Sequence, residues 1–129
     1  DNPVFYVQYT YARISSIGRV ADERGIKRVP LSDVDLGRLD KERELEVLRC
    51  LEELPDVIAE SARDRAPHKV TAWVRKLAGC FHGFYHDHQV LSDDVDEPLR
   101  QARLWLVEAT GIGLRVGLGL LGISAPESM

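Results

Sequence analysis

Apolar positions recur along this chain with a helical period and almost never alternate as a half-buried strand requires. The spacing predicts a first helix over residues 3 to about 23. Asn2 would cap it, Pro3 suits its first turn, where a missing N–H costs nothing, and Gly25 is its left-handed stop. At about 100° per residue, Val4, Val7, Tyr11, Ile14 and Gly18 share one face of this helix, while Tyr6, Tyr9 and Arg13 share nearly the opposite one. Residues 26–39 carry Pro30, Gly37 and several Ser and Asp residues, which predict a loop with a short helical turn. Asp40 is placed as the N-cap of a second helix over residues 41–54. Its inner stripe would be Leu45, Leu48, Leu51 and, weakly, Cys50, with the charges outside. Pro55 restarts a helix that ends near Arg65, and Pro67 opens another that reaches about His88. On that fourth helix Val70, Trp73, Val74, Leu77, Phe81 and Phe84 keep helical spacing and predict the centre of the core. An acidic connector, residues 92–98, leads to a last helix from about Glu97 to Leu121, stopped by Gly122. The fold class that follows is all-α, a bundle of about five helices joined mostly by short loops.

Length and composition narrow this picture. A chain of 129 residues fits a single domain, residues 1–129, around one core, with the apolar and charged fractions of a globular protein. Its only methionine is the last residue, Met129, as expected of a processed product or of a fragment of something longer. The most apolar run, residues 111–123, holds Arg115 and falls short of the roughly 20 residues that a membrane-spanning helix needs, so no membrane partner is expected. Cys50 and Cys80 form no Cys-x-x-Cys pair, and a disulfide-stapled scaffold would carry more. A reducing cytoplasm is therefore the expected compartment, with each cysteine a buried free thiol.

Net charge is −4, which as a total argues mildly against nucleic acid as a partner. The distribution argues the other way. Acidic residues outnumber basic ones over residues 33–60, as on a solvated face, but Arg63, Arg65, Lys69, Arg75 and Lys76 are set against a single acid, Asp64. Arg13, Arg19, Arg24, Lys27 and Arg28 form a second basic concentration.

Three groups of residues raise the question of chemistry. On the outer face of the first helix, Tyr6, Tyr9 and Arg13 offer two aromatic plates and a guanidinium, suited to stacking on unpaired bases and holding a phosphate. The same tyrosines fit equally a face packed against a neighbouring domain. His82 and His86, spaced i, i+4, stand near Cys80, Asp87 and His88 and invite a metal reading. Zinc wants three or four converging ligands, often as His-Glu-x-x-His, and the Glu is missing, so no metal site is expected. A polar helix edge near its C-terminus accounts for them as well. The segment 117–122 formally matches Gly-x-Gly-x-x-Gly, but its glycines end a helix, whereas a phosphate needs the free N–H groups of a helix start. With Gly111 and Gly113 they are expected to let neighbouring helices approach closely, at about 1 kcal/mol each in helix propensity. No catalytic constellation or phosphate-binding loop is apparent, since Ser15, Ser16, Ser61 and Ser92 have no histidine partner by motif.

Several blocks carry a resemblance. Asp-Asn-Pro-Val-Phe-Tyr-Val-Gln-Tyr at residues 1–9, followed by Ala-Arg-Ile at 12–14, is similar to the first helix of the carboxy-terminal anticodon-binding domain of arginyl-tRNA synthetases. The likeness continues through Leu-Ala-Gly-Cys-Phe-His-Gly-Phe-Tyr at 77–85, Ala-Arg-Leu at 102–104 and Leu-Leu-Gly-Ile-Ser-Ala-Pro-Glu-Ser-Met at 120–129, and is weakest over residues 29–54. It implies a helical bundle that recognises the anticodon loop of arginine tRNA. The parent enzyme would be the arginine–tRNA ligase, a class I aminoacyl-tRNA synthetase that esterifies arginine to its tRNA. ATP and magnesium would be used in a catalytic domain beyond these residues, because His-Ile-Gly-His and Lys-Met-Ser-Lys-Ser are absent here. The chain alone is then non-catalytic and without a cofactor. Its partners would be arginine tRNA and the catalytic domain of the same polypeptide, in a monomer.

The resemblance places Tyr6 and Tyr9, the tyrosines of Tyr-x-Gln-Tyr, and the terminal Met129 at the anticodon loop. It brings the end of the fourth helix there too, which makes Tyr85, His86 and His88 candidates, with Arg13 beside them and Lys69, Arg75 and Lys76 on phosphates. Tyr11 departs from the family, which often has histidine there, and falls on the inward stripe. Gly111-Ile112-Gly113 departs from the family's charged or polar residues. Two other classes fit less of the sequence. One is a helical protein–protein interaction module whose tyrosines and basic side contact a protein. The other is a small metal-dependent helical enzyme, which needs the histidines to converge.

Overall fold

The computed structural model describes residues 3–129. Its helices are α1 (Pro3–Glu23), α2 (Glu42–Glu52), α3 (Leu54–Asp64), α4 (His68–Asp87) and α5 (Glu97–Leu120), with 3-10 turns at Leu31–Asp33 and Leu36–Arg38. No strand occurs among the described residues, so the all-α reading holds. The proposed cap Asn2 lies outside the described residues. The stops act as expected: Gly25 has φ 73° and Gly122 φ 71°, and the next amide folds back in each case, Ile26 N–H to Ala21 O at 2.8 Å and Ile123 N–H to Leu118 O at 2.9 Å. Helix α3 closes in the same way on Arg65, with φ 51° and Ala66 N–H to Ser61 O at 2.9 Å. A Cβ is disfavoured in that region, and the Ser61 hydroxyl adds a bond to Ala66 O at 2.9 Å across the turn. Helix α5 starts on Asp96, whose Oδ1 accepts from Leu99 N–H at 3.0 Å.

Helix α2 corrects the sequence reading twice. Its N-cap is Lys41, not Asp40, because Glu44 Oε1 reaches back to Lys41 N–H at 3.0 Å and satisfies the first turn from inside the helix. Its buried face is Glu44, Val47 and Cys50, while Leu45, Leu48 and Leu51 are half-buried. A fully buried glutamate is tolerated because Arg103 of α5 donates from Nε to Glu44 Oε2 at 2.7 Å. The acidic segment is therefore not wholly a solvated face. On α1 the buried face is Val7, Thr10, Ile14, Ile17 and Ala21, so Gly18, expected inward, is exposed, and Tyr11 is half-buried against the core.

Helix α4 is the centre and touches all four others. Trp73, Val74, Leu77, Phe81 and Phe84 are buried on it, and Trp73 Nε1 donates to Cys50 O at 2.8 Å. Cys50 is a buried free thiol, pushed up to about 12 by burial, while Cys80 is free but only half-buried. Helix α5 comes close to α4 at Gly113 and Gly117, whereas Gly119 and Gly122, expected to serve the same approach, have nothing within 4 Å of a Cβ. A Cβ on Gly117 would stand 2.0 Å from Val74 Cγ1, and one on Gly113 3.0 Å from Leu77 Cδ2. The loop before α2 is held by α5, through Gln101 to Lys27 O and Val29 N and through Trp105 Nε1 to Val29 O. Beyond α5 the tail lies along α1, where Gln8 Nε2 donates to Ser124 O at 2.9 Å and Arg19 Nη1 to Glu127 O at 3.1 Å. No helix among the described residues is long and apolar enough to cross a membrane.

Candidate nucleic-acid interface

The packing of α1 on α4 decides which part of the outer face becomes a site. Tyr6 is 41% exposed and Tyr9 59%, and Arg13 is exposed one turn further along. Tyr6 leans over α4 at Gly79, where a Cβ would lie 4.0 Å from its Oη, and its ring centre is 5.2 Å from that of His82 at a tilt of 36°. Arg13 Cζ stands 5.7 Å from the centre of the Tyr85 ring, a cation–π distance. Tyr85 in turn stacks on the fully buried Phe81, 5.6 Å between centres and 12° between planes. Tyr6, His82, Tyr85 and Arg13 thus form a seam of flat side chains, fixed from beneath by a core phenylalanine. Burial pushes the Tyr6 phenol up, against the smaller opposing pull of the Arg75 cation nearby. It stays a neutral hydroxyl that can both donate and accept.

Beneath the seam lies Thr10, fully buried. Its hydroxyl donates to Tyr6 O at 2.9 Å and sits 3.0 Å from His82 Nε2. Neither Thr10 nor His82 figured as an interface residue in the sequence, where His82 fitted a metal ligand or a polar helix edge. The available signal was a threonine on a buried helical face, because a buried hydroxyl needs a partner.

The other candidates are spread over several sites. His86 is exposed, with Nδ1 2.9 Å from Asp87 Oδ1. Its bond and that of Arg43 to the same side chain hold the Asp87 carboxyl below the usual carboxylate range. His88 turns towards the bundle, 6.0 Å from the Phe84 ring and 3.4 Å from Arg103 Nη2. His82, His86 and His88 therefore do not converge, and among the described residues no three His, Cys, Asp or Glu side chains are grouped to hold a metal. Lys69 is paired with Asp64 at 2.9 Å and Lys76 with Glu53 at 2.8 Å. Among the described residues no carboxylate pairs with Arg13 or Arg75. Met129 is 58% exposed at the end of the tail along α1.

The likeness of this arrangement to known proteins extends over the whole chain. An arginine–tRNA ligase of Carboxydothermus hydrogenoformans is 50% identical over all 129 residues, and one of Listeria welshimeri is 48% identical over the same span. The chain spans 23% of the length of each. The solved structure of a Thermus thermophilus arginyl-tRNA synthetase superposes with a TM-score of 0.77 at 32% identity, over 96% of this chain and 21% of that one. The profile of the DALR anticodon binding domain matches residues 7–129, and the chain belongs to that family.

Proposed function

We propose that this chain is the part of an arginine–tRNA ligase that grips the anticodon loop of arginine tRNA, and that residues 1–129 act as one domain. The observation that carries the reading is the α1–α4 seam: Tyr6, His82, Tyr85 and Arg13 present flat side chains and a cation without a carboxylate partner side by side, with Tyr9 exposed on α1 beyond them, in a member of an anticodon-binding family. Unstacked loop bases lie on Tyr6 and Tyr9, and Arg13 and Arg75 meet the phosphates. Lys69 and Lys76 join them once released from their carboxylates. His86, His88 and Met129 line the approach at the α4 end and the tail. Holding the loop here places the acceptor end of the tRNA in the catalytic domain of the same polypeptide, where ATP and magnesium drive the esterification of arginine. The enzyme works as a cytoplasmic monomer, and this chain takes no part in the bond-making step.

A titration of the chain with arginine tRNA and with anticodon-substituted tRNA tests the reading. Tyr9 is open to solvent, so Tyr9→Ala should leave the fold intact and weaken binding by about 1–3 kcal/mol, as expected for one stacked base. Affinity indifferent both to the anticodon and to Tyr9→Ala would sink it and leave a protein partner as the better account of this face.

A further inference from the structure

We propose that His82 is a specificity-determining residue of this interface, its Nδ1 acting as a fixed hydrogen-bond acceptor for the amino group of the base held at Tyr6. The inference deepens the anticodon reading and rests on it. It begins with the Thr10 hydroxyl, which has one hydrogen and two partners. Tyr6 O, at 2.9 Å, can only accept, so the hydrogen goes there. His82 Nε2, 3.0 Å from the same oxygen, completes a second hydrogen bond only by donating. The proton of the neutral ring is thereby assigned to Nε2, and Nδ1 is left with a lone pair.

No group among the described residues uses that lone pair. Among the described residues the only fully buried side-chain nitrogen or oxygen without a partner is Arg100 Nε, so the unbonded Nδ1 of the half-buried ring is not sealed from solvent. Burial, and secondarily the Arg13 cation, hold the ring's pKa below the ordinary histidine value, which keeps the acceptor in place at neutral pH. The charged neighbours Arg13 and Arg75 are donors only, and the tyrosine hydroxyls can turn either way. His82 is thus the one group of the seam that must accept.

That asymmetry discriminates between bases. A cytosine or adenine turned towards His82 offers its exocyclic amine, whereas uracil or hypoxanthine offers a carbonyl at the same place. Its lone pairs would face that of Nδ1, and the mismatch acts against the wrong base as well as for the right one. The ribose 2′-hydroxyl is also a donor, so the experiment has to separate the two sources.

The experiment uses anticodon stem-loops of arginine tRNA in which each loop cytidine is replaced in turn by uridine and each adenosine by inosine, with 2′-deoxy replacements as a second arm. Long-range 15N NMR on the unaltered chain should show His82 protonated at Nε2. At one loop position, loss of the amine should weaken binding by about tenfold. His82→Phe, which keeps a flat ring beside Tyr6, should abolish that difference. Thr10→Val, which leaves His82 in place but frees its tautomer, should reduce it. A ring protonated at Nδ1, or discrimination unchanged in both variants while the loop still binds, overturns the role of His82 alone. A His82-dependent loss produced by the 2′-deoxy replacement and not by amine removal overturns the base assignment. Failure of the unaltered chain to bind any loop overturns the anticodon reading itself, and this inference with it.

Discussion

A single buried glutamate holds more of this molecule together than its composition suggests. Glu44 is 0% exposed, and its two carboxylate oxygens serve different elements. Oε1 accepts from Lys41 N–H at the start of α2, and Oε2 accepts from Arg103 of α5 at 2.7 Å. Arg103 in turn donates from Nη1 to Gln89 O at 2.7 Å, which pins the chain just beyond α4, a few residues from Tyr85. Removing one partner of a buried pair leaves the other uncompensated in the core and typically costs about 3–5 kcal/mol. Glu44→Ala should therefore lower the free energy of unfolding in urea by about that amount. The double replacement Glu44→Leu with Arg103→Met, which buries no charge, should lose much less. A Glu44→Ala variant as stable as the parent would show that the pair is not coupled to folding.

At the scale of the elements, α5 shows how far local chemistry determines packing. Gly117 and Gly119 are both helical glycines two residues apart, and helix propensity alone would favour alanine at either by about 1 kcal/mol. Their surroundings differ. A Cβ at 117 would overlap Val74 of α4, whereas one at 119 would meet nothing within 4 Å. Gly119→Ala should raise stability by up to about 1 kcal/mol, and Gly117→Ala should lower it by about 1–3 kcal/mol through overpacking. Thermal or urea unfolding separates the two, and equal effects would contradict the close α4–α5 approach.

The same contrast explains what the sequence disclosed. Helix ends were legible because their causes are local: Gly25, Pro55, Pro67 and Gly122 fix backbone conformation where they stand. The α4 core stripe was legible because six apolar residues agree on one face. The α2 face was not, because burying Glu44 depends on an arginine 59 residues away, which no local period reveals. At the candidate site, periodicity separated Tyr6, Tyr9 and Arg13 from the core face. The pairing of Thr10 with His82 spans 72 residues and needed the α1–α4 contact itself.

For the whole molecule, the question is how a chain of net charge −4 would hold a polyanion. The ion pairs give the answer. Many of its cations are already neutralised within the fold: Arg28 by Glu108, Arg38 by Asp96, Arg43 by Asp87, Lys69 by Asp64 and Lys76 by Glu53. Each such pair is a local dipole whose field fades within a Debye length, about 8 Å at physiological salt. Arg13 and Arg75 lack a carboxylate partner among the described residues, and both act on the α1–α4 seam, Arg13 over Tyr85 and Arg75 through its pull on the Tyr6 phenol. The potential that a loop would meet is therefore set by these two residues more than by the total. Each phosphate they neutralise should contribute about 0.7 to the slope of log affinity against log salt. Arg13→Ala and Arg75→Ala should each flatten that slope by about this amount, and Lys69→Ala or Lys76→Ala by less, since those lysines must first give up a carboxylate. Binding of arginine tRNA measured across a salt series for the four variants decides it. A larger change from the paired lysines than from the unpaired arginines would move the phosphate path away from the seam and onto the α2–α3 side.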